Sequence, residues 1–107
     1  MRILVAAVCF SFAALAADVT GTISGIVRDA SGAVVPSAQV RVVNTGTNAA
    51  YGGVSDDQGV FAIRALPVGV YDLAATVSGF KKFESKGIRL QVNEIARVDV
   101  ALAVGET

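Results

Sequence analysis

From Thr20 to Leu102 apolar and polar residues alternate in short runs, each broken by glycine, proline, asparagine or aspartate. No apolar pattern at helical spacing is long enough to hold a helix. Because alternate side chains of a strand share a face, the alternation divides each run into an inward and an outward set. In "TISGIVRD", Ile23, Gly25 and Val27 face one way and Thr22, Ser24 and Arg28 the other. "AQVRVVN" sets Ala38, Val40 and Val42 against Gln39, Arg41 and Val43. "AAYGGVS" reads as a short strand weakened by glycine. Phe61, Ile63 and Ala65 form the inward side of the next run, and Tyr71, Leu73, Ala75 and Val77 that of the longer one after it.

The breaks carry turn chemistry. "DASGAVVPSA" places Asp29 and Gly32 in one turn, and Pro36 marks the chain as extended or turning before a strand. "DDQG" places Asp56, Asp57 and Gly59 in a second turn, Pro67 and Gly69 in "LPVG" a third, and Gly79 a fourth, closed by the ring of Phe80. In "FKKFESKGIRLQV" the apolar residues are Phe80 and Phe83, then Ile88, Leu90 and Val92, with no clear pattern from Glu84 to Gly87. Asn93 and Glu94 suit a short hairpin turn, since asparagine tolerates a left-handed backbone. The last run, "IARVDVAL", alternates Ala96, Val98, Val100 and Leu102 with Arg97, Asp99 and Ala101. Roughly seven strands at turn spacings of about 8 to 12 residues predict an all-β, two-sheet sandwich or barrel. The expected core includes Ile23, Val27, Val40, Val42, Phe61, Ile63, Tyr71, Leu73, Phe80, Val98 and Val100.

Ahead of this region, Met1 and Arg2 precede an apolar run from Ile3 to Leu15, and "ALA" at Ala14 to Ala16 suits a small-x-small cleavage site. The run is shorter than the roughly 20 residues that cross a bilayer. A secretory signal peptide over residues 1–16 is expected, cleaved near Ala16 or Ala17, with 17–21 as a short linker. Cleavage would remove Cys9, the single cysteine, so no intrachain disulfide can staple the domain. Stability then rests on the hydrophobic core of a domain of about 90 residues.

Nine basic residues balance nine acidic ones, and Lys81–Lys82 is the only basic doublet. Neither nucleic acid nor an anionic lipid surface finds electrostatic support in that distribution. The chain has no histidine, which excludes Ser-His-Asp and Cys-His catalysis and any histidine-ligated zinc. Asp56, Asp57 and Gly59 match part of a calcium loop, but the alternate oxygen ligands and the distant glutamate are missing. Turn formation is the expected role of that pair. No glycine-rich phosphate motif opens a helix. No enzymatic activity, cofactor or metal is expected. There is no tryptophan, and Tyr51 is the sole tyrosine outside the expected core faces, which leaves little for a sugar platform.

In order and spacing, "TISGIVRDASGAVVPSAQVRVVNTGT", "SDDQGVFAIRALPVGVYDLAATVSGFKKF" and "GIRLQVNEIARVDVAL" resemble the carboxypeptidase regulatory-like domain. The resemblance implies a prealbumin-like (transthyretin-like), seven-stranded Greek-key β-sandwich over residues 22–103, with peptidase chemistry belonging to a different domain. Ile26 stands where a polar residue is common, and Asn93 where glycine is expected. With a signal peptide directly in front, the chain is similar to the N-terminal extension of TonB-dependent, Oar-like outer-membrane receptors. That implies a non-catalytic accessory or scaffold domain, exported to the periplasm or associated with the outer membrane. Its implied partners are other receptor domains or envelope proteins, and residues 104–107 are a truncated end or the start of a linker to a missing domain. The alternative is a carbohydrate-binding-like module of a secreted or cell-surface protein. The isopeptide bond of some related sandwiches needs a lysine on the first strand, where this chain has Arg28.

Overall fold

The computed structural model describes residues 19–105; the expected signal peptide lies outside the described residues. The chain forms β1 (Thr20–Asp29), β2 (Gln39–Asn44), β3 (Ala50–Val54), β4 (Val60–Pro67), β5 (Gly69–Thr76), β6 (Phe83–Leu90), β7 (Ile95–Arg97) and β8 (Val100–Leu102). One sheet has the order β4-β1-β7, with β8 also paired to β1; the other has the order β3-β2-β5-β6. β4 lies antiparallel to β1, whereas β7 and β8 run parallel to it. All pairings in the second sheet are antiparallel. This is the all-β sandwich that the alternation predicts.

The inward faces meet in one core. Ile23, Val27, Phe61 and Leu66 from the first sheet pack with Val40, Val42, Tyr71 and Leu73 from the second, and Val100 and Leu102 close the far end. At about 1.5 to 3 kcal/mol for each large side chain buried, this cluster is the main source of stability. The Tyr71 ring is wholly buried, and its hydroxyl donates to the Pro67 carbonyl at 2.6 Å, so the core aromatic also ties down the β4–β5 connection. Pro67 and Gly69 bracket a passage between sheets, since β4 belongs to one and β5 to the other. Ser55, just after β3, is buried: its hydroxyl accepts from the Ala38 N–H and donates to the Val35 carbonyl, both at 2.8 Å. Those bonds clamp the turn containing exposed Pro36, where Ser37 takes a positive φ of 61°.

Several expectations need correction. Among the described residues there are eight strands, because the last run is split. Beside Gly25, Val98 and Asp99 leave the regular ladder, giving β7 and β8 in place of one strand. Ala65 is exposed and Leu66 is buried: Arg64 and Ala65 together oppose Thr22 alone, a β-bulge that shifts the alternation by one residue. Val92 is also exposed. It sits in a turn with Asn93, whose φ of 56° is left-handed as anticipated. That turn makes no hairpin, because β6 and β7 belong to different sheets. Phe80, Val98 and Val77 are partly buried and pack against the core from outside it. Glu84 to Gly87 lie within β6, with Lys86 and Gly87 bulging opposite Asp72, whose carboxylate accepts the Gly87 N–H at 3.1 Å.

Candidate functional site

The acidic residues singled out by sequence fall into two turns of one design. At the end of β1, the Asp29 carboxylate accepts from the Ser31 N–H (2.9 Å), the Ser31 hydroxyl (2.6 Å) and the Ala33 N–H (3.2 Å), while its carbonyl accepts the Gly32 N–H at 3.0 Å. Ahead of β4, Asp56 repeats this with the N–H groups of Gln58 and Val60, both at 2.9 Å, and its carbonyl accepts the Gly59 N–H, also at 2.9 Å. Gly32 and Gly59 carry the positive φ values, 87° and 76°, that the tight return requires. The Ser31 hydroxyl, seconded by backbone N–H groups, holds the Asp29 carboxyl below its usual range. The turns meet at one end of the sandwich, where the Val27 N–H donates to the Gly59 carbonyl at 2.8 Å.

Asp57 is exposed and takes no part in these bonds, so it does not join Asp56 in a shared site. Among the described residues, no three of His, Cys, Asp or Glu stand close enough to hold a metal ion. Asp29 and Asp56 therefore act on the backbone of their own turns.

A different surface carries a concavity. The outer face of β3-β2-β5-β6 forms an open trough of about 870 Å³. One ladder row across it reads Gly52, Arg41, Ala74, Glu84. Glycine and alanine keep the floor low, and Lys82 and Glu84 pair at 3.4 Å along one rim. Tyr51 contributes only its backbone side to this face. Its register opposite Val42 turns the ring inward, edge-on to Tyr71 with centroids 6.3 Å apart at 62°. This corrects the expectation that Tyr51 stands outside the core faces. The trough thus offers small and charged groups and exposed apolar ones such as Val54, and no stacked aromatic.

Sequence reasoning missed Ser55, Asn44 and Asp99. Asn44 is buried at the end of β2, its side-chain oxygen accepting the N–H groups of Gly46 and Thr47. Asp99 accepts the Ile26 N–H at 3.2 Å, where the split between β7 and β8 leaves that donor without a ladder partner. A polar residue closing an apolar run signalled the first two. Asp99 carried no local signal.

Comparison with solved structures agrees with the sandwich. The Bacillus anthracis TIE protein superposes with a TM-score of 0.67 at 19% identity, over 79% of this chain and 16% of that one. Hydroxyquinol 1,2-dioxygenase from Pseudomonas putida gives 0.67 at 14% identity, over 85% and 58%. A putative carbohydrate binding protein from Bacteroides uniformis gives 0.61 at 19%, over 77% and 40%. The chain spans less than two thirds of each of these proteins, and identities this low speak to the fold alone. No curated protein sequence matches the chain. The family model described as carboxypeptidase regulatory-like domain matches residues 22–103, from the first half of β1 to just past β8. With that match covering most of the chain and the sandwich in place, the chain belongs to the carboxypeptidase regulatory-like domain family.

Proposed function

We propose that this chain is a non-catalytic scaffold domain of an exported envelope protein, and specifically an N-terminal module of a TonB-dependent outer-membrane receptor. One observation carries the scaffold reading: the chain enters and leaves the sandwich at opposite ends. β1 starts at Thr20, and β8, parallel to it, finishes with Leu102 beside Asp29 at the other end of β1. At roughly 3.3 Å per residue, entry and exit are about 30 Å apart, so the domain holds whatever flanks it at a set distance. Carboxylates committed to turns and the lack of histidine support a role without chemistry. The receptor context rests on the apolar leader ahead of the domain and on the resemblance to receptor extensions.

The trough and the fold likeness to a putative carbohydrate binding protein favour a second reading, a sugar-binding module. Cross-linking in the producing cells, followed by mass spectrometry of the envelope fraction, separates the two. An outer-membrane barrel joined to the chain, covalently in one reading frame or by cross-link, supports the scaffold. Saturable binding on a glycan array, lost on Arg41→Ala, with no barrel partner, supports the sugar module instead.

A further inference from the structure

The same topology determines how the domain meets a pull. β1 is the first strand and β8 the last, and they are neighbours that run parallel, in register from Val27↔Val100 to Asp29↔Leu102. β7 extends the contact toward the entry end, from Thr22↔Ile95 to Ser24↔Arg97. Tension applied at the two ends would draw β1 toward its start and β8 toward its finish, in opposite directions along one shared ladder. The ladder's bonds lie across the pull, so they are loaded together. Pulled apart from a single end, the same strands would unzip, each bond breaking in turn.

Other features strengthen this clamp. The Thr22 N–H donates to the Glu94 carbonyl at 2.9 Å, and the Val98 N–H to the Ser24 carbonyl at 2.7 Å. Where the last run breaks, the Asp99 carboxylate takes the Ile26 N–H, so the contact between first and last strands has no empty rung at the kink. On its other edge β1 is held by β4 from Thr20↔Pro67 to Ile26↔Val60, so the first strand cannot be withdrawn without shearing a second ladder. Beyond β8, the Lys81 N–H donates to the Ala103 carbonyl at 2.8 Å and the Gly105 N–H to the Gly79 carbonyl at 2.9 Å, fastening the exit to the segment between β5 and β6.

We infer that the domain is a mechanical element: a shear clamp between β1 and β7–β8 that resists tension transmitted along the polypeptide from its entry to its exit. The inference deepens the scaffold reading and rests on it, because a spacer matters mechanically only when segments on both sides can pull. Forced unfolding is governed by the unfolding rate, so the resistance need not follow equilibrium stability.

Single-molecule pulling tests it on the full chain placed between two marker domains. In one arrangement the handles join both chain ends; in the other, one handle moves from the N-terminus to the exposed position 30 through Ala30→Cys, beside the exit end of β8. The end-to-end arrangement should need a several-fold higher force than the Ala30 arrangement, which unzips the same ladder. Asp99→Ala should lower the end-to-end force while leaving the unzipping force nearly unchanged, and Asp99→Asn, which keeps an acceptor oxygen, should restore it. Equal forces in the two arrangements, or an end-to-end force indifferent to Asp99→Ala, would overturn the clamp. Pulling reports on the clamp whatever the compartment, so a weak domain in the envelope refutes this inference alone, and a strong one confined to the cytosol refutes the scaffold reading alone.

Discussion

The backbone of Val98 passes directly over the Cα of Gly25, with the Val98 carbonyl occupying the space where a side chain at position 25 would begin. A Cβ there would also stand 3.0 Å from the Phe61 ring. The first strand therefore accepts only hydrogen at this position, and the split between β7 and β8 is where the last run crosses it. Gly25→Ala should destabilise the domain by about 3 kcal/mol or more, since rigid backbone and a core ring must both move. Ser24→Ala, on the outward face, should cost no more than about 0.5 kcal/mol. Urea melts compare the two, and equal losses would mean that the close approach does not exist.

Ala65 holds a left-handed backbone, φ 57°, at the bulge that turns Leu66 into the core. A residue with a Cβ is strained there, so Ala65→Gly should be neutral or stabilising by up to about 1 kcal/mol. Ala62→Gly, in regular strand, should lose about 0.5 to 1 kcal/mol. Leu66→Ala should cost about 2 to 5 kcal/mol. Thermal or urea melts of the three variants check this, and a destabilising Ala65→Gly with a harmless Leu66→Ala would mean that the bulge is absent.

Asp56 and Asp57 are adjacent but unequal. Removing the Asp56 carboxylate leaves the exposed Gln58 and Val60 N–H groups to water, so Asp56→Ala should cost about 0.5 to 1.5 kcal/mol. Asp57→Ala should stay within about 0.5 kcal/mol. Calcium should leave the melting temperature of the parent chain and both variants unchanged. A calcium-dependent rise lost in both variants would restore the pair as an ion site.

Asp29 supplies a pH dependence with a definite sign. Its carboxyl is held below the ordinary range by the Ser31 hydroxyl. A carboxyl depressed in the folded state contributes stability that is full above its unfolded pKa and is lost as pH falls through the folded value. Stability should therefore decline in acid below the usual carboxylate range, and Ser31→Ala should move the Asp29 titration back up toward that range. NMR titration of the carboxyl carbons reads it directly. Asp29 titrating at or above an ordinary carboxylate, or unmoved by Ser31→Ala, would contradict the turn chemistry.

Much of this architecture is legible in local pattern. Val40 with Val42, Phe61 with Ile63, and Tyr71 with Leu73 all lie on the faces their alternation assigns, because one residue's step in a strand reverses the side chain. The Asp29–Gly32 and Asp56–Gly59 turns are equally local, each closing bonds within a few residues. What escaped depends on partners far along the chain. Ala65 leaves the core because two residues of β4 oppose one of β1, and Tyr51 packs against it because β3 registers Tyr51 opposite Val42. The final run breaks because it passes Gly25, far earlier in the chain, and Asp99 repairs the break by reaching back to Ile26. The trough, too, exists only after β3, β2, β5 and β6 bring Gly52, Arg41, Ala74 and Glu84 into one row.

A scaffold domain working outside the cytoplasm must have crossed a membrane, and the mass and location of the protein made from its own N-terminus record whether it did. Cells producing the chain are fractionated, and the intact mass is measured in the cytosolic, periplasmic and outer-membrane fractions. The expected polypeptide begins at Ala17 or Asp18 and is recovered from the periplasm or the outer membrane. A polypeptide retaining Met1 and recovered from the cytosol would contradict export and, with it, the scaffold role in the envelope.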